Sequence, residues 1–205
     1  EAGADVAALD IGDVTETGKS IVALGRRWMP IKCNLREAPV DGLNKIVGDV
    51  VAQLGRLDIL VNNAGIIRRA PALEFTEKDW DDVMQINLRA AFFLSQAAAR
   101  VMVKQSGGKI INVASMLSFQ GGIIVPSYTA SKSGIAGITK ALANEWAKYN
   151  INVNAIAPGY MATENTAPTR SRLVSTVPSP VVSRNVVPTT WNARIAPRRW
   201  VGAAR

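Results

Sequence analysis

The chain has 205 residues, 48% of them hydrophobic and none of them histidine, with a formal charge of +8 at pH 7. That length suits one domain with a buried core, while the lack of histidine excludes Ser-His-Asp and Cys-His nucleophiles and every His-ligated metal site. Acid–base work near neutrality is left to a Tyr, a Lys or a shifted carboxylate. All 16 acidic residues precede Asn165 and seven of the 24 basic ones follow it, so residues 1–165 carry +1 and residues 166–205 carry +7.

Val6–Asp10 (VAALD) reads as a short apolar strand ending in an acid, and Trp28–Cys33 as a weaker strand whose Pro30 favours a sheet edge. Ala38–Leu54 has apolar residues at helical spacing (Leu43, Ile46, Val47, Val50, Val51, Leu54), closed by Gly55. Leu57–Val61 (LDILV) has the near-continuous apolar character of a strand buried on both faces, and it runs into Asn62-Asn63-Ala64-Gly65. Thr76 with Asp79 three residues later is a capping-box variant opening a helix to about Lys104, ended by Gly107-Gly108. Lys109–Ala114 is a buried strand, Ser127–Tyr149 a long helix, and Ile151–Ala157 a strand stopped by Pro158-Gly159. Strands alternating with helices predict an α/β domain with a parallel sheet.

After Asn165 no period is visible. The segment 166–205 is rich in Arg, Pro, Ser, Val and Thr, and holds half of the ten prolines. Two readings stand: a basic arm for nucleic acid or membrane, supported by Arg198-Arg199, or a divergent tail or out-of-frame text from a GC-rich gene, which is favoured. Neither nucleic acid nor membrane is expected as a partner of the body. No apolar run approaches the ~20 residues of a membrane span. The single cysteine, Cys33, allows no internal disulfide and suits a reducing cytoplasm, the expected location.

Tyr128 and Lys132 lie four apart on the last predicted helix, hence on one face about one turn apart. A nearby ammonium favours the tyrosinate, so the pair can act as an acid/base without histidine. Ser115, just past a buried strand, can meet a substrate oxygen. A lone Tyr-x-x-x-Lys is a weak signal. Here it comes with Asn62-Asn63-Ala64-Gly65 at a strand end, Asn87 in the preceding long helix, Ser115 thirteen residues before Tyr128, and Pro158-Gly159 followed by Thr163.

With these motifs in this order, the chain resembles the short-chain dehydrogenase/reductase family over roughly residues 1–164. The resemblance implies a doubly wound Rossmann-type parallel sheet and a nicotinamide cofactor carrying the hydride. It implies that Tyr128 exchanges a proton with the substrate oxygen and that Lys132 lowers the tyrosine pKa and holds the ribose. Ser115 would polarise the carbonyl, and Asn87 would position a relay water. Asn62, Asn63, Ala64 and Gly65 would pass the adenosine side of the cofactor, and Ile156, Pro158, Gly159 and Thr163 would frame the nicotinamide. Asp10 would take both ribose hydroxyls and repel a 2′-phosphate, favouring NAD over NADP. Asn34 stands where the family usually has an Asp for the adenine amino group.

The stretches between the motifs resemble dehydrogenases of deoxy sugar acids, of the 2-deoxy-D-gluconate or 2-dehydro-3-deoxy-D-gluconate type. A carboxylate substrate needs a cation, and Arg68 or Arg69 could supply it, although a solvated surface pair reads equally well. Gln120 could bond a sugar hydroxyl. The alternatives are another short-chain ketone or polyol reductase, or a non-catalytic decayed fragment.

By the same resemblance, the chain begins near the end of the family's first helix, so the first strand and the Gly-rich phosphate loop are expected to be absent from residues 1–165. A break in the sheet between Val6–Asp10 and Leu57–Val61 follows, as does weak cofactor binding. Oligomerisation is expected for intact relatives and is in doubt here.

Overall fold

The computed structural model describes residues 3–159. Every predicted strand is present: β1 (Val6–Asp10), β2 (Trp28–Lys32), β3 (Ile59–Asn62), β4 (Gly108–Val113) and β5 (Ile151–Ile156). All pairings are parallel, as expected for an α/β chain whose connections run through helices. The helices are α1 (Thr15–Ala23), α2 (Val40–Leu54), α3 (Glu77–Met84), α4 (Ala91–Lys104), the single turn α5 (Leu117–Gln120) and α6 (Pro126–Trp146). The architecture is Rossmann-like.

The strands form two separate ladders. β1 pairs with β2, Val6 opposite Trp28 through Asp10 opposite Lys32, while β3, β4 and β5 make a three-stranded sheet with β4 in the centre. Among the described residues no ladder joins β1 to β3, which is the break expected from the sequence. Packing bridges it instead: Leu9 of β1 meets the cluster of Leu35, Leu43, Val47, Ala90, Leu94 and Ala97, which Leu57 and Leu60 also join. The consequence is visible in burial. The first four residues of β1, Val-Ala-Ala-Leu, are only half-buried, and Val61 of β3 is 42% exposed, whereas Ile110 of β4 is fully buried. A second cluster, of Ala98, Ala99, Met102, Ile110, Leu142, Trp146, Ile151 and Val153, holds α4 and α6 to β4 and β5.

Two departures from the sequence reading matter for the site. The single helix expected from Thr76 to Lys104 does start at a Thr76 cap, whose Oγ1 accepts from the Asp79 amide at 3.1 Å. It is interrupted, however, by a π-helical stretch, Gln85–Ala90, between α3 and α4. Such insertions are rare and often occur at functional sites, and no periodicity in the sequence marks this one. The turn α5 was also not expected. It forms as the chain folds back after Ser115, with Gly121 at φ 75° as its left-handed exit.

Candidate active site

The predicted site residues gather where open α/β folds place their ligands, beyond the carboxyl ends of the strands. β4 ends at Val113 and delivers Ser115. The Ser115 Oγ accepts from the Leu117 amide at 3.2 Å, and its own amide donates to the Ser118 Oγ at 3.2 Å. Ser118 in turn donates to the Lys132 carbonyl at 2.7 Å, clamping this turn onto α6. The end of β5 is tied to the same turn, since Met116 N donates to Pro158 O at 3.3 Å and Ala114 N to Ile156 O at 2.8 Å.

From α6, the Tyr128 hydroxyl is brought beside the Ser115 side chain, which acts to lower its pKa. Lys132, 4% exposed, lies one turn further on, its Nζ 5.6 Å from the Tyr128 ring centre. Burial pushes the Lys132 ammonium down to about 8, because a charge away from water is penalised. Its Nζ donates to the Val113 carbonyl at 2.6 Å. Burial pushes the Tyr128 phenol up, opposed by the Ser115 side chain and by the positive charge of Arg69. The expectation that Lys132 depresses the tyrosine is therefore not met in this arrangement. The ammonium sits on a backbone carbonyl of β4, and desolvation dominates the phenol.

Asn87 lies in the π-helical stretch and is 2% exposed. Its Oδ1 accepts from the Ile66 amide at 2.8 Å, and its Nδ2 donates to the Ile66 carbonyl at 3.0 Å and to the Ser131 Oγ at 3.1 Å. Both amide protons are thereby used. The expected relay water would have to approach Asn87 through its carbonyl oxygen, as a donor. Gly65 packs against this group: a Cβ there would lie 3.3 Å from the Asn87 Oδ1 and 3.6 Å from the Lys132 Nζ. A side chain there would be a tight fit against the Asn87 amide oxygen.

Three expected cofactor contacts are modified. The Asn62 amide points into the interior, donating to the Ser95 Oγ at 2.9 Å and the Asn112 Oδ1 at 2.8 Å, and Asn112 continues to Thr139. It fixes β3 to β4 and α4 and does not face a ligand; Asn63, whose amide donates to Val61 O, and Ala64 and Gly65 form the turn itself. The Asn34 Oδ1, the expected adenine acceptor, takes the Arg36 amide at 3.1 Å. Asp10 is exposed at the end of β1, with Oδ1 accepting from Gly12 N at 2.7 Å. Ile156 is 54% exposed at the end of β5, and a Cβ on Gly159 would contact the Met116 sulfur. Thr163 lies outside the described residues.

The two arginines separate. Arg68 Nε pairs with Asp79 at 3.2 Å, and its Nη2 lies 4.0 Å from Asp82. The buried Asp82 carboxylate also holds Lys78 at 2.7 Å and Arg36 at 3.1 Å, and the Lys78 hydrogen bond is the leading reason its carboxyl lies below the usual range. Arg68 thus belongs to an ion cluster at α3, while the charge of Arg69 acts on the Tyr128 hydroxyl. Gln120 is exposed at the end of α5. Sequence reasoning missed Ser118, Ser131 and Asp82, which are common residue types whose roles exist only in the folded arrangement.

A model of the family described as short chain dehydrogenase matches residues 1–173. The 2-dehydro-3-deoxy-D-gluconate 5-dehydrogenase of Escherichia coli (strain K12) is 59% identical over 172 residues, covering 83% of this chain and 67% of that protein. The enzyme of the same name from Dickeya dadantii (strain 3937) is 58% identical over the same shares. A solved gluconate 5-dehydrogenase from Burkholderia cenocepacia J2315, in complex with NADP and tartrate, is 32% identical with a TM-score of 0.73, over 79% of this chain and 64% of that one. The chain thus spans about two thirds of the length of these proteins.

Proposed function

Since the chain belongs to the short-chain dehydrogenase family of nicotinamide-dependent oxidoreductases, we propose that it interconverts a secondary hydroxyl and a ketone on a deoxy sugar acid, with NAD as its cofactor. The observation that carries the reading is the Tyr128 hydroxyl held beside the Ser115 side chain, with the Lys132 ammonium one helical turn away. The relatives named for 2-dehydro-3-deoxy-D-gluconate support the substrate class.

The residues present fit a nicotinamide nucleotide in part. The glycine at position 65 leaves the turn after β3 without a side chain beside the Lys132 Nζ, and Asp10 ends a strand where a ribose diol would be held. Tyr128, Lys132, Asp10 and residues 63–65 would hold the cofactor, and it would supply the hydride. In reduction, the substrate carbonyl oxygen sits between the Tyr128 and Ser115 hydroxyls. The Ser115 hydroxyl donates to that oxygen and draws electron density from the carbonyl carbon. As the carbon gains a hydride, the C=O π pair moves to the oxygen, which takes the Tyr128 proton and becomes a hydroxyl. Tyr128 is left as a phenolate, stabilised by the Lys132 ammonium, and is reprotonated from solvent. Oxidation runs through the same steps in reverse.

Arg69 is the cation suited to the substrate carboxylate, because its charge reaches the Tyr128 hydroxyl. NAD is favoured because the Asp10 carboxylate would repel a 2′-phosphate, although the Burkholderia structure holds NADP. Turnover is expected to be slow. Asp10 ends β1 and the 63–65 turn follows β3, and the ladders of these two strands are separate.

The test is a panel of ketones assayed by NADH oxidation: deoxy keto sugar acids, 3-oxoacyl thioesters and neutral diketones. Preference for the sugar acids, with Arg69→Ala raising their KM by about tenfold as expected for a charge-assisted bond and Arg68→Ala leaving it unchanged, supports the reading. Preference for neutral ketones, or a KM for the sugar acids unmoved by Arg69→Ala, sinks the substrate assignment.

A further inference from the structure

The buried hydroxyl of Ser131 belongs to none of the roles described so far, yet it joins two of the groups that perform them. Ser131 is fully buried on α6. Its Oγ donates to the carbonyl of Tyr128 at 2.8 Å and accepts from the Asn87 Nδ2 at 3.1 Å. A serine hydroxyl has one proton, so giving it to Tyr128 O leaves only lone pairs for Asn87. The direction of the chain is then fixed: amide N–H to hydroxyl, hydroxyl to carbonyl.

Asn87 has no alternative orientation. Its Oδ1 must face the Ile66 amide and its Nδ2 the Ile66 carbonyl, so the second Nδ2 proton can go only toward Ser131. The result is a continuous tie from the loop after β3, through the π-helical stretch, to the turn of α6 that carries Tyr128 and Lys132. The π insertion has a use in this arrangement, because it turns Asn87 inward between Ile66 and Ser131.

We propose that Ser131 is a positioning residue: its hydroxyl sets the register of the Tyr128–Lys132 turn against the loop at Gly65 and Ile66. The inference rests on the proposed roles of Tyr128 and Lys132, but it concerns this chain's own geometry and can be read without turnover.

Ser131→Ala removes the hydroxyl and leaves an Asn87 proton and the α6 turn without their link. The turn then loosens, water reaches the phenol, and the tyrosine loses part of the burial that raises its pKa. The readout is phenolate absorbance near ~295 nm during alkaline titration, with the Tyr128→Phe trace subtracted to isolate Tyr128 from the other tyrosines. The expected result is a Tyr128 midpoint in Ser131→Ala lower than in the parent by at least about half a pH unit, the scale of a modest change in desolvation. Ser131→Cys, which keeps the volume and a weak donor, should recover at least half of that shift. A merely structural hydroxyl would lower the melting temperature and leave the Tyr128 midpoint where it was, and that outcome overturns the proposal.

If Ser131→Ala does not fold, hydrogen exchange in the parent chain decides. The tie requires the Ile66 amide, though in a loop, to be protected at least about 100-fold, as a bonded interior amide is. Exchange at the rate of an open loop would overturn the proposal. Failure of Tyr128→Phe to reduce activity would instead count against the proposed function and leave the Ser131 result standing.

Discussion

Lys132→Met isolates the energetic consequence of burying the site's ammonium. The lysine is 4% exposed and burial lowers its pKa from 10.5 to about 8. Methionine has similar length and no charge, so it keeps most of the packing. Below about pH 8 the side chain is protonated in both the folded and the unfolded chain, and the full cost of burying the charge is present. Between about 8 and 10.5 the unfolded chain holds the proton and the folded chain does not, so stability rises with pH, and above 10.5 the cost is gone. The separation from 10.5 to about 8 corresponds to about 3 kcal/mol. Against this, the substitution would leave the Val113 carbonyl without the donor it has at 2.6 Å, a loss of ~1–3 kcal/mol at every pH. The two effects separate in the pH dependence of the difference between parent and variant. The assay is urea unfolding of both chains by tryptophan fluorescence at pH 7, 8.5 and 10, with Trp146 in the core as reporter. The parent should gain about 2–3 kcal/mol on the variant between pH 7 and 10. A difference constant to within about 1 kcal/mol over that range would mean that the buried lysine keeps its ordinary pKa, and the argument from desolvation would fail.

Three further outcomes follow from the site. Tyr128→Phe should lower kcat/KM by at least ~100-fold, the usual contribution of a positioned acid or base, as read from initial rates of NADH oxidation with a deoxy keto sugar acid. Asp10→Ser removes the carboxylate expected to repel a 2′-phosphate. The ratio of NADPH to NADH affinity should rise by about tenfold or more, a charge contact's worth, and an unchanged ratio would show that Asp10 does not face the ribose. Gly65→Ala places a methyl 3.3 Å from the Asn87 Oδ1 and 3.6 Å from the Lys132 Nζ. It should destabilise the chain by ~1–3 kcal/mol as an overpacked contact does and slow turnover further than the stability loss explains, with melting temperature and initial rate as the two measurements.

The strands and most helices were legible because their signals are local. Val6–Asp10 is recovered without change, and α2, β4 and β5 shift by at most two residues at either end. The candidate acid–base pair was legible for a similar reason: a Tyr and a Lys four apart share a helix face in any environment. What was hidden depends on contacts between distant segments. No run of six residues announces that Gln85–Ala90 will adopt π geometry. It is held there by Asn87 reaching Ile66, 21 residues away, and Ser131, 44 residues away. Asn62 illustrates the opposite error. At the sequence level it belonged with its neighbours in a ligand-facing turn, but strand alternation turns its side chain inward, onto Asn112 and Ser95. Arg68 and Arg69 are equivalent as text, and only the folded chain puts Arg68 in the ion cluster with Asp79 and Asp82 and brings the Arg69 charge to the Tyr128 hydroxyl.

The pKa directions also refine what the Tyr-x-x-x-Lys motif establishes. Burial raises the phenol from 10.0 and lowers the ammonium to about 8, so in the unliganded chain the lysine gives up its proton before the tyrosine does. A pair in that order holds a neutral phenol over the whole neutral range, which suits Tyr128 as the acid of ketone reduction. It does not suit Tyr128 as the base of alcohol oxidation. For the base role the ammonium must stay charged and act on the phenolate, which requires it to leave the Val113 carbonyl and find further acceptors near the phenol. Sugar hydroxyls and ribose hydroxyls are such acceptors, and each one raises the lysine pKa while its charge lowers that of the tyrosine. The oxidative direction should therefore show the steeper loss of kcat/KM as pH falls from 9 to 7. A reductive profile with equal or greater dependence in the opposite sense would refute this ordering of the two groups.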